Sequence, residues 1–414
     1  MALLNDRRFL ILLALGFSAG LPLPLTAFTL RQWMTESGVS LAAIGFTALI
    51  GLSYALKFLW SPAIDHLPPP FFRHLGRRRG WLASIQVPLA GAILGLGLTD
   101  PGGLPALTAG VAVGVAFLSA SQDIVIDAYR IEILEEREQG YGLACYIWGY
   151  RGALLVSNAG ALAVAEFAGW PAAFAMCALM VGVGFAATLA GTEPPAPERE
   201  PMGWAARLRH AVVDPFRDFT RRDWWWLILA FVCLYKLGEA LAGVMTAPLY
   251  RSLGFTRLEV AQVASVFGLF ATLVGALAGG WLVARIGIGR ALVITGLGQM
   301  LSNLMYVALA NAGHDIGMLY AQVGVENFTD GLADAAFVAY LSSLTSRAYT
   351  ATQYALLSSL AAVPLRTFGA GSGVLAEAMG WTPFFLLTTA AALPAMGIML
   401  LLLWKFPPKE APRA

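Results

Sequence analysis

The sequence predicts an all-α membrane protein: twelve spanning helices arranged as two halves of six, with both termini on the cytoplasmic side. Three observations predict it. Of the 414 residues 58% are hydrophobic and only 13% charged, with a mean hydropathy of +0.68; soluble domains carry about twice that charge. Apolar stretches of roughly 20 residues, the length that crosses a bilayer core, recur along the chain. Threaded through those stretches, all but seven of the 27 lysines and arginines fall on one side, the signature of a cytoplasmic face.

The spans are placed at 9–31, 41–64, 81–99, 104–128, 140–166, 170–190, 224–249, 257–283, 290–311, 316–343, 351–376 and 381–404. Asp6-Arg7-Arg8 precedes the first. It superficially resembles a signal peptide, but the long apolar run and the missing cleavage site make it a retained helix. Ser40 opens the second span, and Thr256-Arg257-Leu258-Glu259 opens the eighth as a capping box. Pro22, Pro24, Pro62, Pro88, Pro248 and Pro364 fall within spans or at their ends, which membrane helices tolerate. Between the halves, Thr192-Glu193-Pro194-Pro195-Ala196-Pro197 is a stiff exit. Residues 202–216 then set Trp204, Leu208, Ala211 and Val212 on one face with Arg207 and Arg209 off it, an interfacial helix by pattern. Trp224, Trp225 and Trp226 mark an aromatic belt at the entry of the seventh span. The domain reading is 1–190 for the first bundle, 191–223 for a cytoplasmic linker, 224–404 for the second bundle and 405–414 for a tail.

Of the seven basic residues off the cytoplasmic side, Arg31, Arg251 and Arg257 lie at the opposite ends of spans. The other four, Lys57, Arg151, Lys236 and Arg366, lie near mid-membrane, where a charge costs roughly 3 kcal/mol on insertion scales. Cations kept at that depth usually line a wet cavity and hold an anion, so all four are candidate substrate contacts. Arg151 and Arg366 occupy corresponding spans of the two halves, so one reading pairs them across the cavity; pairing of Arg151 with Asp123 is the structural alternative. Lys236 has Glu239 three residues on, on the same face, so simple neutralisation is its alternative.

The acidic groups admit two roles. Asp123 and Asp127 are an i, i+4 pair on the fourth span; Glu326, Asp330 and Asp334 repeat at four-residue steps on the tenth. Close carboxylates in a low dielectric hold protons more tightly, so Glu326, Asp123, Asp127 and Asp330 are candidates for proton coupling, with Glu326 favoured by depth. Gating is the other role: the acids of the fourth span would pair with Arg77, Arg78 and Arg79, with Asp65 and Arg130 in the same network. Gln122, Asn158, Gln299, Asn303, Gln322, Asn327, Gln353, Trp60, Trp148, Tyr54 and Tyr150 are groups that read sugars or join helices. Cys145, Cys177 and Cys233 show no metal or disulfide spacing, and no nucleotide-loop, HExxH or nucleophile-elbow motif occurs. No enzyme and no cofactor is expected, and the net charge of +2 points away from nucleic acid.

The halves resemble one another: Phe17-Ser18-Ala19-Gly20 parallels Tyr235-Lys236-Leu237-Gly238, and Gly76-Arg77-Arg78-Arg79 parallels Arg285-Ile286-Gly287-Ile288-Gly289-Arg290. Six plus six with these loops resembles the major facilitator superfamily. More specific are Gly16-Phe17-Ser18-Ala19-Gly20-Leu21-Pro22-Leu23, Lys57-Phe58-Leu59-Trp60-Ser61-Pro62, Ala120-Ser121-Gln122-Asp123-Ile124-Val125 with Asp127, Gly149-Tyr150-Arg151, Glu326-Asn327-Phe328 and Ala351-Thr352-Gln353-Tyr354-Ala355. Together these look like the AmpG-type muropeptide permease family. The resemblance implies an inner-membrane, proton-driven importer whose substrate is N-acetylglucosaminyl-anhydro-N-acetylmuramic acid with or without peptide, serving peptidoglycan recycling and influencing β-lactamase induction; a monomer is the expectation for its assembly. Asp330 and Asp334 stand where the family pattern does not require acids. Another bulky anion as cargo, acetyl-CoA-like for example, and a non-transporting sensor remain the alternatives.

Overall fold

The computed structural model describes residues 6–135, 138–195, 217, 219–344 and 350–405, with the side chains of Pro62, Asp65, His66, 139–141, Ser342, 350–356 and Ser358 left aside. The expected interfacial helix at 202–216 lies outside the described residues. By its internal contacts the chain forms two compact units, Met1–Arg199 with Thr256–Ala261, and Glu200–Phe255 with Gln262–Ala414.

In the first unit the opening crossing is not one helix. It comprises α1 (Arg7–Gly20), α2 (Pro22–Leu25) and α3 (Phe28–Glu36), ending five residues beyond the expected span. Pro22 and Pro24 remove amide donors, and the Thr26 hydroxyl donates to the Pro22 and Leu23 carbonyls at 3.3 and 3.1 Å. Asp6 caps α1 through the Arg8 amide at 2.9 Å. Arg8 also binds Asp6 and Glu138 through its guanidinium, and these hydrogen bonds hold both carboxyls below their ordinary range. The second crossing, expected as one helix, is a chain of short turns: α4 (Leu41–Phe46), a 3-10 stretch Thr47–Gly51, α5 (Leu52–Ala55), a 3-10 turn Lys57–Leu59 and α6 (Ser61–His66). Ser40 caps it as expected, accepting from the Ala43 amide at 3.3 Å.

Next come α7 (Arg77–Gly97), α8 (Pro105–Ile133) and α9 (Gln139–Leu155), which passes through a π segment, Val156–Gly160, into α10 (Ala161–Ala190). Gly169, at φ 81°, divides α10; an L side chain rarely adopts that conformation. α1 and α9 pack face to face: a Cβ on Gly16 would meet the Tyr146 backbone, and one on Gly149 the Leu13 backbone. The core here holds Leu12, Leu15, Leu82, Val125 and Ile126, all fully buried.

The second unit contains α11 (Trp225–Leu234) and α12 (Leu237–Ser252), separated at Tyr235–Lys236. Between them and the next helix lies α13 (Arg257–Val260), which belongs to the first unit and whose capping box forms as expected; a π segment Ala261–Phe267 then leads into α14 (Gly268–Ile286). The rest is α15 (Ile288–Ala312), α16 (Ile316–Ser343), α17 (Thr350–Ala370), α18 (Ser372–Met379), α19 (Trp381–Ala391) and α20 (Leu393–Lys405). Phe231, Val232, Ala291, Leu292, Ala333 and Ala336 form its core.

Nine helical stretches among the described residues are long and apolar enough to cross a membrane. One of them, Gly142–Ala190, is 49 residues long and is the stretch that Gly169 divides. α16 and α17, where two further crossings are expected, carry Glu326, Asp330, Asp334 and Arg366, which lower their apolarity.

Candidate functional site

In the first unit the polar groups gather on the second crossing, α8 and α9. Lys57 sits in the 3-10 turn, where the chain is bent out of α-helix. Arg151 lies on α9 five residues before the π segment; such irregular turns recur at functional positions. Both are half-buried and neither makes an ion pair among the described residues. The expected structural pairing of Arg151 with Asp123 does not form: Asp123 Oδ1 is buried with no hydrogen-bond partner, within range of the charges of Lys57 and Asp127. Tyr54, Tyr146 and Tyr150 lie within the same field of Asp123, and Tyr150 also within that of Arg151.

Two contacts fix these elements. Ser18 donates to Gln122 Oε1 at 3.0 Å, and Gln122 Nε2 donates to the Ser18 carbonyl at 3.0 Å. Gln122 is fully buried. It joins α1 to α8, the helix-joining role weighed beside sugar reading. Trp60 donates from its indole to Ser121 Oγ at 3.0 Å and packs against Phe117. That ties the irregular second crossing to α8 beside Asp123. The indole donor is used, so Trp60 can offer a sugar only its ring. Trp148 is 74% exposed.

The arginine loop pairs differently from expected. Arg77 and Arg78 converge on Glu132, at 2.9 and 2.6 Å, not on Asp123 or Asp127. Glu193 accepts from the amides of Arg78 and Arg79 at 2.7 and 3.0 Å, capping α7 where its first N–H groups have no helical partner. Arg79 donates to the carbonyls of Thr188 and Leu189 at the end of α10. Arg130 lies 3.8 Å from Asp127. The side chain of Asp65 lies outside the described residues. Glu132 and Glu193 escaped the sequence reading because they sit in a charge-rich segment and at the linker exit, where isolated carboxylates carry no pattern.

A further arginine closes a contact within the first unit. Arg257, in the Thr256–Ala261 segment, binds Glu36 bidentately at 2.9 and 2.7 Å, donates to the Ala165 carbonyl at 2.9 Å, and lies 5.4 Å from the Trp170 ring centre. Glu36 also accepts from the Trp170 indole at 3.0 Å.

In the second unit Lys236 stands at the break between α11 and α12. Its ammonium lies 2.9 Å from Glu239 and 3.1 Å from Asp330, and also binds Asp334. Three carboxylates surround its ammonium, so the cation is engaged inside its own bundle, the neutralisation weighed beside a substrate contact. Asp330, one of the proton-coupling candidates, is an ion-pair partner of Lys236. One turn away on α16, Glu326 accepts from Asn327 Nδ2 at 2.9 Å. Asn327 also donates to the Val323 carbonyl and accepts from Thr272, joining α16 to α14, and these contacts occupy the amide expected to read a sugar. Arg366 is half-buried on α17. It belongs to the second unit and Arg151 to the first. The side chain of Gln353 lies outside the described residues.

A membrane-embedded helical fold whose crossings break at buried charges is that of a secondary transporter. The chain belongs to the Major Facilitator Superfamily, whose model matches residues 8–365. It is 44% identical over 397 residues to the anhydromuropeptide permease of Escherichia coli (strain K12), covering 95% of this chain and 79% of that protein. It is 34% identical over 402 residues to the putative transporter AmpG 4 of Rickettsia felis, covering 96% of this chain and 97% of that one. Among solved structures, the nucleoside transporter NupG aligns with a TM-score of 0.72 over 98% of this chain and 100% of its own, at 14% identity. A bacterial homologue of the human lysosomal transporter Spinster, inward-facing and unoccupied, aligns at 0.71 over 99% and 100%, at 15% identity; these two show the fold alone. The protein is a multi-pass inner-membrane protein, and its relatives are permeases and transporters rather than enzymes.

Proposed function

We propose that the protein is a muropeptide permease: it carries anhydro-muropeptides, the disaccharide N-acetylglucosaminyl-anhydro-N-acetylmuramic acid with or without peptide, into the cytoplasm by alternating access, driven by an inward proton gradient. The observation that carries this reading is the 44% identity to the E. coli anhydromuropeptide permease over 95% of the chain. The site chemistry agrees with it. Peptide-bearing muropeptides are anionic, and Lys57 and Arg151 are half-buried cations without an ion pair among the described residues. Arginine's planar fork suits a carboxylate. Tyr54 and Tyr150, beside Asp123, offer the flat apolar faces and hydroxyls a sugar needs. Proton coupling is supported by the intramembrane carboxylates of both units, Asp123 and Asp127 in the first, Glu239, Glu326, Asp330 and Asp334 in the second. The positive-inside distribution supports cytoplasmic termini, and the substrate requires no cofactor.

The test is uptake of labelled anhydro-muropeptide into proteoliposomes with and without an inward proton gradient. Accumulation that needs the gradient is the expected result. Uptake without gradient dependence refutes the coupling; no uptake of muropeptide, with uptake of a nucleotide-linked anion instead, refutes the cargo.

A further inference from the structure

Behind Lys236 the second unit holds a pocket with room for about one water molecule, lined by Tyr235, Lys236, Glu239, Gln299, Asn303 and Met396. Gln299, on α15, is 7% exposed, and neither its Oε1 nor its Nε2 has a hydrogen-bond partner among the described residues. A buried amide with both its donor and its acceptor open calls for a species that can satisfy both. Glu239 is the one carboxylate of the Lys236 cluster that lines this pocket. Asp330 and Asp334 reach the same ammonium from α16. One ammonium against three carboxylates leaves an excess of two negative charges when all are ionised, a balance that binding positive charge relieves.

We propose that the pocket binds one water that carries the coupled proton, and that Glu239 is the carboxylate that takes that proton up and releases it. The proposal rests on the reading of the protein as a proton-coupled carrier and names the site of coupling. As hydronium, the bound species gives one proton to a Glu239 oxygen: an O–H bond forms on the carboxyl, an O–H bond of the hydronium breaks, and a neutral water remains on Gln299. Release reverses the step. A bare sodium ion would satisfy Gln299 Oε1 but leave the Nε2 donors open, whereas water accepts from one and donates to the other.

The neighbouring groups set the consequence. Tyr235 and Lys236 come from the break itself, Asp330 and Asp334 from α16 with Glu326 one turn on, and Arg366 is the charged group of α17, which packs on α12. α15 contributes Gly296, Gln299, Met300 and Asn303, all uncharged, and α20 the apolar Met396. Glu239 lies in the first turn of α12, where negative charge complements the open N–H groups. Protonating it removes that interaction and leaves Lys236 to Asp330 and Asp334, loosening the break between α11 and α12. Proton occupancy is thereby linked to the conformation of the crossing.

The experiment uses purified full-length protein in proteoliposomes with labelled anhydro-muropeptide, reading counterflow exchange and proton-gradient-driven accumulation side by side. Glu239→Gln is expected to lose accumulation while keeping counterflow within about threefold. Gln299→Leu, which keeps the volume and removes both amide atoms, is expected to slow accumulation about tenfold and counterflow by a smaller factor, and Glu239→Asp to restore part of the loss. Accumulation by Glu239→Gln at the wild-type level overturns the proposal. So does loss of accumulation in Glu326→Gln but not in Glu239→Gln, which puts the proton on Glu326. If a sodium gradient at equal pH drives the wild type, the pocket binds sodium and the proposal also falls. Wild-type counterflow with no accumulation under any gradient refutes coupling itself, a distinct outcome.

Discussion

Lys236 donates to Asp330 across 3.1 Å, from the break after α11 to the middle of α16, a sequence separation of 94 residues. With Glu239 at 2.9 Å and Asp334 also bound, the ammonium is the electrostatic hub of the second unit. Removing a buried ion's partner leaves uncompensated charge and typically costs about 3 kcal/mol or more. Lys236→Gln is expected to lower the thermal unfolding midpoint in detergent by several degrees. Adding Asp330→Asn is expected to recover part of the loss, because it removes one of the stranded carboxylates. A double variant less stable than Lys236→Gln alone would show that Asp330 serves another partner.

Much of the fold was legible in the sequence because hydrophobic length and basic-residue asymmetry report directly on the bilayer. The capping box at Thr256 and the cap at Ser40 were readable too, since local hydrogen bonding fixes them. The broken second crossing was not: nothing between Leu41 and His66 except Pro62 forbids a continuous helix, so the 3-10 turns around Lys57 come from tertiary packing such as the Trp60–Ser121 bond. The candidate site was half legible. Depth alone marked Lys57, Arg151, Lys236 and Arg366 as exceptional, but depth does not say which cations are already paired. Glu239 signalled the pairing of Lys236, whereas Asp330 and Asp334 reach it from another helix. Gln299 looked like any other polar helix residue until the structure left its amide without a partner.

Glu132 receives both Arg77 and Arg78, whose side chains are 22% and 5% exposed. The more buried arginine depends on it more. Glu132→Gln is expected to destabilise the protein by about 2 kcal/mol, measured by thermal unfolding, because a neutral amide cannot balance two guanidinium groups. Arg77→Gln is expected to cost less than half as much, since solvent screens that pair. Equal losses for the two variants would show that burial does not rank them.

Arg151 and Lys57 are the two mid-membrane cations of the first unit, and neither makes an ion pair among the described residues. If they hold the carboxylates of the cargo, Arg151→Gln weakens binding of peptide-bearing muropeptide about tenfold, the size of one charge-assisted hydrogen bond. The peptide-free disaccharide, which keeps only its single lactyl carboxylate, is expected to lose less. Competition binding with the two ligands checks this, and equal loss for both assigns Arg151 to structure. Arg151→Lys keeps the charge but loses the planar fork, so its loss is expected to be intermediate.

Arg257 and Glu36 give the last prediction. The guanidinium meets Glu36 at 2.7 and 2.9 Å, and Glu36 is 6% exposed on its side chain. Arg257 also uses the Ala165 carbonyl and lies beside the Trp170 ring, while Trp170 itself donates to Glu36. Arg257 thus fastens the Thr256–Ala261 segment to Glu36 at the end of α3 and to Ala165 and Trp170 in the first third of α10. Arg257→Lys keeps the charge but cannot bind bidentately and stack at once. It is expected to speed amide exchange at residues 259–261 about tenfold, with α1 and α8 unaffected. Glu36→Gln is expected to do the same and also to release the Trp170 indole, read as a shift in tryptophan fluorescence. If exchange in the segment stays at the wild-type rate in both variants, the capping box of Thr256 and Glu259 is sufficient to hold it, and the arginine contact is dispensable.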